Sequence, residues 1–180
     1  ADGNAQLARA YRLAASICED IGDSMLSEEI NLLNQGIEQL PDGYYNALAG
    51  QLASAYIRQA EATGNPGYQK DALRTYQQLE KNGNTTLEVR LNIAMLQYQL
   101  HDFSKAMEML QALKKDYPKD YRVYKWLAFV QGELDLQNGA SYTKTLGYYE
   151  TAELYRAEQA SGVYDPQMDE LDRMARNNWQ

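Results

Sequence analysis

The sequence has little of what builds β-sheets, disulfide frameworks or membrane spans. One cysteine, Cys18, occurs among 180 residues, which excludes an internal disulfide and a zinc site built on several thiolates. Only four prolines and two phenylalanines are present, and Ala and Leu dominate the apolar residues. This mixture favours close helix–helix packing over a β-sandwich, which would contain more β-branched residues. No run approaches the ~18 apolar residues of a membrane span, so we expect no membrane insertion of this segment.

Excess positive charge is also missing, because the net charge at pH 7 is −8. Binding to nucleic acid needs a basic surface that displaces counterions from phosphates, so we expect no nucleic-acid partner. The stretch from Lys105 to Lys125 is the exception, with six basic and three acidic residues. This local excess would attract an acidic peptide, although solvated helix faces and a turn are the favoured interpretation.

The constellations that carry catalysis are absent from the sequence. It contains no glycine-rich phosphate loop, no HExxH and no acidic calcium loop. The one histidine, His101, falls in a predicted turn, and Cys18 lies in an apolar run without a neighbouring base to activate it. We therefore predict no enzyme activity, no catalytic residues, no metal site and no cofactor.

Apolar residues recur at spacings of three and four, which predicts amphipathic helices along the whole chain. In the first of them, over Asn4–Gly22, the predicted inward face consists of Leu7, Ala10, Tyr11, Ala14, Ile17, Cys18 and Ile21. Turn residues such as Pro41 and Gly83 separate the helices, and Asp165 followed by proline predicts the start of a last one. We predict one domain, 1–180, with helix pairs at about 4–41, 44–86, 87–120 and 121–160 and a capping helix at 165–179.

The stretch Leu87–Asp120 carries a recognisable motif. Its 34 residues read as two helices joined by a turn at His101, with Ile93-Ala94, Ala106 and Pro118 at consensus positions. The preceding pair has Leu52-Ala53, Tyr56 and Ala72 at matching positions, and Gly36 occupies the small-residue position of the first pair. The chain thus resembles the tetratricopeptide repeat family. The resemblance implies an all-α, right-handed superhelical solenoid of about four antiparallel helix pairs with a C-terminal capping helix.

In that family the first helices of successive pairs line a concave groove that binds extended peptides or a partner's helix. The family register places seven residues on it: Leu91, Met95, Tyr98, Arg122, Lys125, Trp126 and Phe129. Arg122 and Lys125, one turn apart, suit an acidic side chain or a C-terminal carboxylate. For Trp126, packing between adjacent helices is an equally good interpretation. The resemblance implies a non-catalytic scaffold that binds a protein or peptide.

A second resemblance concerns the carboxyl third, from Tyr121 onwards, which looks like the C-terminal repeat region of certain bacterial membrane-anchored serine/threonine kinases. It implies an alternative function as an extracytoplasmic sensor or assembly domain of a larger receptor. The first residue is Ala, so a processed form or an excised piece is expected, and the compartment stays open between cytoplasmic and extracytoplasmic. Four tyrosines would also permit self-association: Tyr142, Tyr148, Tyr149 and Tyr155.

Overall fold

The computed structural model describes residues 3–179, and within them the chain is helical without any strand. Two single-turn 3₁₀ helices, Asp23–Met25 and Asp42–Tyr44, precede the second and third α-helices. The all-α fold of tetratricopeptide-like helix pairs is confirmed. The nine α-helices of these residues are α1 Gly3–Ile21, α2 Leu26–Gln39, α3 Tyr45–Thr63, α4 Pro66–Lys81, α5 Leu87–Gln99, α6 Phe103–Asp116, α7 Tyr121–Asn138, α8 Thr143–Gln159 and α9 Pro166–Asn178.

The helices belong to two compact units, one ending at Leu96 and the other beginning at Gln97. The boundary falls within α5, near its C-terminal end. A single domain over 1–180 stays a prediction. Each unit has its own buried interior.

In the first unit α2 packs against both α1 and α3, and α3 packs against α4. The interior is made almost entirely of Leu, Ile and Ala side chains. At Gly36, α2 approaches α1 and α3 closely. A Cβ atom there would lie 2.9 Å from both Tyr11 Cγ and Leu48 Cδ1. The repeat register predicts a small residue at Gly36 and at Ala72, and both are buried.

The predicted inward face of α1 is largely wrong. Ile17 and Ile21 are 53% and 61% exposed, and the buried residues of this helix are Ala8, Ala15 and Cys18. α1 carries two apolar stripes, and the one with small side chains faces the interior. Small side chains allow the helix to approach its neighbours closely, which leaves the bulkier stripe in solvent.

A fully buried carboxylate lies within the first unit. Glu29 of α2 is 0% exposed, and its Oε1 atom lies 2.6 Å from Nη2 of Arg58 on α3. The same Arg58 nitrogen lies 3.8 Å from Oε1 of Glu19 on α1. Arg58 therefore connects three helices through charge.

In the second unit α7 is the central helix and packs against α6, α8 and α9. Its central stretch is buried, since every residue from Val123 to Val130 except Tyr124 is buried. α9 covers α7 and α8 with Met168, Leu171 and Ala175, and these side chains are buried. The predicted capping helix is thereby confirmed.

Several turns of the described residues use left-handed backbone, among them those at Gly83 and His101. Gly83 has a φ of 93° after α4, and Asn84 donates its N–H to the carbonyl of Leu79 at 3.0 Å. This is the C-terminal conformation predicted for Gly83. His101 adopts a φ of 62° in the turn before α6, where its exposed ring lies edge-on to Phe103 at 5.7 Å.

Candidate functional site

Four aromatic rings meet in the second unit around α7. Trp126 and Phe129 are three residues apart on this helix, so they project from the same side, and their ring centroids lie 5.3 Å apart. The ring of Tyr98 lies 5.7 Å from Trp126 and 5.6 Å from Phe129, and Phe103 lies 5.6 Å from Tyr98. The tilted geometry is the one that aromatic quadrupoles favour. We call Tyr98, Phe103, Trp126 and Phe129 the aromatic cluster.

The members of the aromatic cluster differ in their access to solvent. Trp126 and Phe129 are each only 7% exposed, whereas Tyr98 is half-buried. Burial, helped by the charges of Glu133 and Glu170, raises the pKa of Tyr98 to about 12. Its phenol therefore remains protonated at neutral pH and keeps its ability to donate a hydrogen bond.

Lys125 is buried and forms an ion pair within the unit. Its Nζ atom lies 2.9 Å from Oδ2 of Asp165, and it also lies over the rings of Trp126 and Tyr121 at 5.8 and 5.9 Å. Asp165 accepts three further hydrogen bonds, from the hydroxyl of Tyr121 and from the backbone N–H groups that begin α9. Burial favours protonation of Asp165, but the bond from Lys125 prevails and holds the pKa of this carboxyl below its ordinary value.

Arg122 is the more accessible of the two predicted cations. Its side chain is 34% exposed, compared with 8% for Lys125. It is held by Asp120, with Nη2 2.8 Å from Oδ2 and Nε 3.0 Å from Oδ1. Asp120 also caps α7 by accepting the backbone N–H of Arg122. Burial alone would raise the pKa of Asp120, yet the bonds from Arg122 hold it below the ordinary value.

The seven predicted groove residues divide between the two units. Tyr98, Arg122, Lys125, Trp126 and Phe129 belong to the second unit, four of them in the contacts of the aromatic cluster and its lysine. Leu91 and Met95 belong to the first unit, where Leu91 is buried and Met95 half-buried. Peptide binding by these residues stays a prediction.

Sequence reasoning missed Asp165 as the partner of Lys125. The pattern Asp165–Pro166 indicates a helix start, and the structure confirms that role. Nothing in the sequence links it to a lysine 40 residues earlier, because the ion pair arises from the packing of α9 on α7. The predicted tyrosine surface is wrong for Tyr149, which is buried and donates its hydroxyl to Asp172.

The side chains that commonly bind metals or act as nucleophiles are dispersed among residues 3–179. No cluster of His, Cys, Asp and Glu in that range has the arrangement of a metal site. Within the same residues, none of the helices combines the length and apolar character that crossing a membrane requires. Cys18 is buried in the first unit, whereas His101 is exposed in the second.

Helix pairs of the tetratricopeptide type, closed by a capping helix, define the class of this fold. Three solved structures of MamA share it. MamA 41-end from Desulfovibrio magneticus RS-1 is 16% identical, with a TM-score of 0.69 over 94% of this chain and 84% of that one. A MamA RS-1 double mutant is 13% identical, with a TM-score of 0.64 over 93% and 95%. A MamA MSR-1 structure is 16% identical, with a TM-score of 0.61 over 88% and 95%.

These TM-scores show a common fold. No protein-family model matches the chain, and no curated protein matches it either. The resemblance of the carboxyl third to a kinase-associated repeat region, together with the sensor function that it implies, stays a prediction.

Proposed function

We propose that this chain is a non-catalytic scaffold that binds a protein or peptide at the aromatic cluster of its second unit. The observation that carries the proposal is the sequence of side chains on α7. Arg122 lies four residues before Trp126 and so on the same side of the helix, and the half-buried Tyr98 contacts Trp126. Trp, Tyr and Arg are the residues that most often dominate binding energy at protein interfaces.

The chemistry of the surface suits a partner with an acidic side chain or a C-terminal carboxylate next to an apolar residue. The Nε and Nη2 atoms of Arg122 bond Asp120, so a ligand carboxylate would pair with this guanidinium by competing with Asp120. An exposed ion pair contributes only ~0.2–1 kcal/mol, so most of the affinity has to come from apolar contact with Tyr98 and its neighbours. Lys125 stabilises this surface, because its amine contacts the Trp126 ring and pairs with Asp165 at the start of α9.

The tetratricopeptide-like fold supports a scaffold, since in this fold helix pairs present side chains to a partner. The positions of the two most reactive side chains support the absence of catalysis. His101 is exposed in a turn and lies edge-on to Phe103, while Cys18 is buried in the interior of the other unit. Burial, together with the charges of Glu28 and Glu29, raises the pKa of the Cys18 thiol and so disfavours the thiolate that a nucleophile requires.

The test is a selection from acetylated dodecapeptides, half of them ending in a free carboxylate and half in an amide. Enriched peptides are titrated by fluorescence anisotropy against the wild type and the Arg122→Glu variant. We expect affinity to fall about tenfold or more, which corresponds to ~1.4 kcal/mol. Arg173→Glu is the matched control, because this arginine of α9 is 68% exposed and undergoes the same charge reversal.

Equal affinities of the wild type and Arg122→Glu for every enriched peptide would contradict the proposed site. A Tyr98→Ala variant tests the apolar part independently, since this side chain is only half-buried. Far-UV circular dichroism of each variant establishes that the helices are intact before affinities are compared.

A further inference from the structure

A polar depression lies in the first unit, where α2, α3 and α4 meet. It consists of two adjoining cavities of about 710 Å³ and 310 Å³ that share Ile37, Tyr45 and Gln78 in their walls. The larger one is also lined by Asn46 and Asn82, and the smaller one extends past Thr75. We call this depression the amide groove.

The side-chain amides of the groove form a connected series. Gln78 donates from Nε2 to Oδ1 of Asn82 at 2.7 Å, and Asn82 donates from Nδ2 to Oδ1 of Asn46 at 3.1 Å. Asn46 donates in turn to the backbone carbonyl of Asn82 at 3.4 Å. A primary amide has two donor hydrogens and two acceptor lone pairs, so members of the series retain capacity for a ligand.

Four polar residues that line the groove repeat along one side of α4 and its C-cap residue Asn82. Asp71, Thr75, Gln78 and Asn82 are four, three and four residues apart. From the first to the last, the helix rises ~16 Å at 1.5 Å per residue. An extended chain advances ~3.3 Å per residue, so the groove spans about five residues of a strand. A four-residue step of the helix, ~6 Å, is also close to the ~6.7 Å between alternate residues of a strand.

The groove has apolar walls as well as polar ones. Ile37, Tyr45 and Tyr56 line it, and the hydroxyl of Tyr56 accepts a hydrogen bond from Asn34 at 3.1 Å. Burial raises the pKa of the Tyr45 phenol above its ordinary value. Side chains of alternate ligand residues would therefore meet aromatic surface, while the ligand's backbone faces the amides.

The charge of the lining indicates the kind of ligand. Arg74 forms an ion pair with Asp71 at one end of the groove, and Asp42 contributes a carboxylate at the other. The lining as a whole carries no excess of positive charge that would attract phosphate or another anion. A basic side chain of the ligand is complementary to the end at Asp42.

We propose that the amide groove binds an extended polypeptide segment of about five residues, through its backbone groups, with a basic side chain beside Asp42. Amides recognise a peptide backbone because both partners combine an N–H donor with a carbonyl acceptor. The groove lies in the other unit from the aromatic cluster, so this second binding surface goes beyond the proposed function and does not depend on it.

The experiment uses a phage-displayed library of random linear dodecapeptides, selected on the full chain. Enriched peptides are synthesised with acetylated and amidated ends and titrated by calorimetry. We expect Gln78→Ala to weaken binding about tenfold or more, and Gln77→Ala to leave it unchanged. Gln77 is the matched control because it is the adjacent glutamine of α4, is exposed and lies outside the groove lining.

A second measurement distinguishes backbone recognition from side-chain recognition. N-methylation of the two central residues of an enriched peptide removes backbone donors without changing the side chains, and we expect it to abolish binding. Replacing the basic residue of the peptide by Gln should weaken binding to the wild type and have less effect on an Asp42→Asn variant.

Three outcomes would overturn the proposal. One is a library that yields no binder, and another is a set of binders that Gln78→Ala does not weaken. Binders lost with Arg122→Glu but kept by Gln78→Ala would belong to the aromatic cluster and support that function instead. The third outcome concerns cellohexaose, which is titrated in parallel. If this sugar binds in a way that depends on Gln78 and no peptide does, the groove is a saccharide site. Gln78→Glu, which preserves size, confirms any result in case Gln78→Ala perturbs the fold.

Discussion

The first helix of the first unit and the last helix of the second unit differ in which side chains they bury. In the first unit α1 buries only small residues and leaves Leu13, Ile17 and Ile21 more than half exposed. In the second unit α9 buries Met168 and Leu171 completely and turns its charged residues to solvent. The comparison shows that an apolar stripe at helical spacing identifies a helix, whereas the interior can select a different stripe when small side chains offer closer packing.

The units also differ in how they satisfy a buried ion pair. Asp165 accepts hydrogen bonds from Lys125, Tyr121 and the first turn of α9. Glu29 receives Arg58 at Oε1, but among the described residues no hydrogen bond reaches its Oε2 atom. When one oxygen of a buried carboxylate is unsatisfied, the stability of the folded state depends more heavily on the single partner of the other oxygen.

The largest effect that this contrast predicts is for Arg58→Met. The substitution keeps much of the side-chain volume and removes the charge that faces the fully buried Glu29. Loss of one partner from a buried ion pair costs about 3–5 kcal/mol of unfolding free energy. Urea denaturation measures it, and Arg74→Met is the control, because Arg74 is 75% exposed and its pair with Asp71 contributes little. A change below ~1 kcal/mol would show that Glu29 finds another partner or a proton.

A smaller effect is expected for Asp165→Ala, at about 2–4 kcal/mol, because the substitution removes a helix cap and leaves Lys125 without its carboxylate. The flexible stem of Lys125 limits the loss, since its amine can move towards solvent. In this variant, amide hydrogen exchange should accelerate more in α9 than in α7. The exposed Asp169→Ala, four residues further on, is the control, and equal exchange in both variants would contradict the role of Asp165.

The pH dependence of stability follows from the same carboxyl. The folded pKa of Asp165 lies below its ordinary value, so the unfolded state binds a proton at higher pH than the folded state does. The contribution of Asp165 is therefore fully present above the ordinary pKa of ~3.9 and is lost as pH falls through the folded value. The difference in stability between the wild type and Asp165→Ala should shrink from pH 6 to pH 2.5 in urea titrations.

The smallest effect is expected for Ile17→Gln on the exposed stripe of α1. Because this side chain is 53% exposed, the unfolding free energy of the protein should change by no more than ~0.5 kcal/mol. Leu33→Ala in the same unit is the contrasting variant, with an expected loss of ~2–5 kcal/mol at a fully buried site. A loss above ~1 kcal/mol for Ile17→Gln would mean that the stripe is buried in solution.

Sequence reasoning succeeded where one local rule decides the outcome. Spacing of apolar residues located the helices, the repeat register predicted buried small residues at Gly36, Ala72 and Ala106, and glycine chemistry predicted the turn at Gly83. It failed on α1, where either of two apolar stripes could face the interior. The candidate site was only partly predictable, because Trp126 and Phe129 were identified on α7 while the Lys125–Asp165 pair depends on tertiary packing.

The distribution of two rare residue types makes each unit separately observable. Both tryptophans, Trp126 and Trp179, belong to the second unit, whereas the only thiol, that of Cys18, is buried in the first. Tryptophan emission thus reports the unfolding of one unit, and the rate of thiol labelling reports the opening of the other. Coincident transitions by the two probes would demonstrate a single cooperative unfolding reaction, and separated transitions would give each unit its own midpoint without any introduced label.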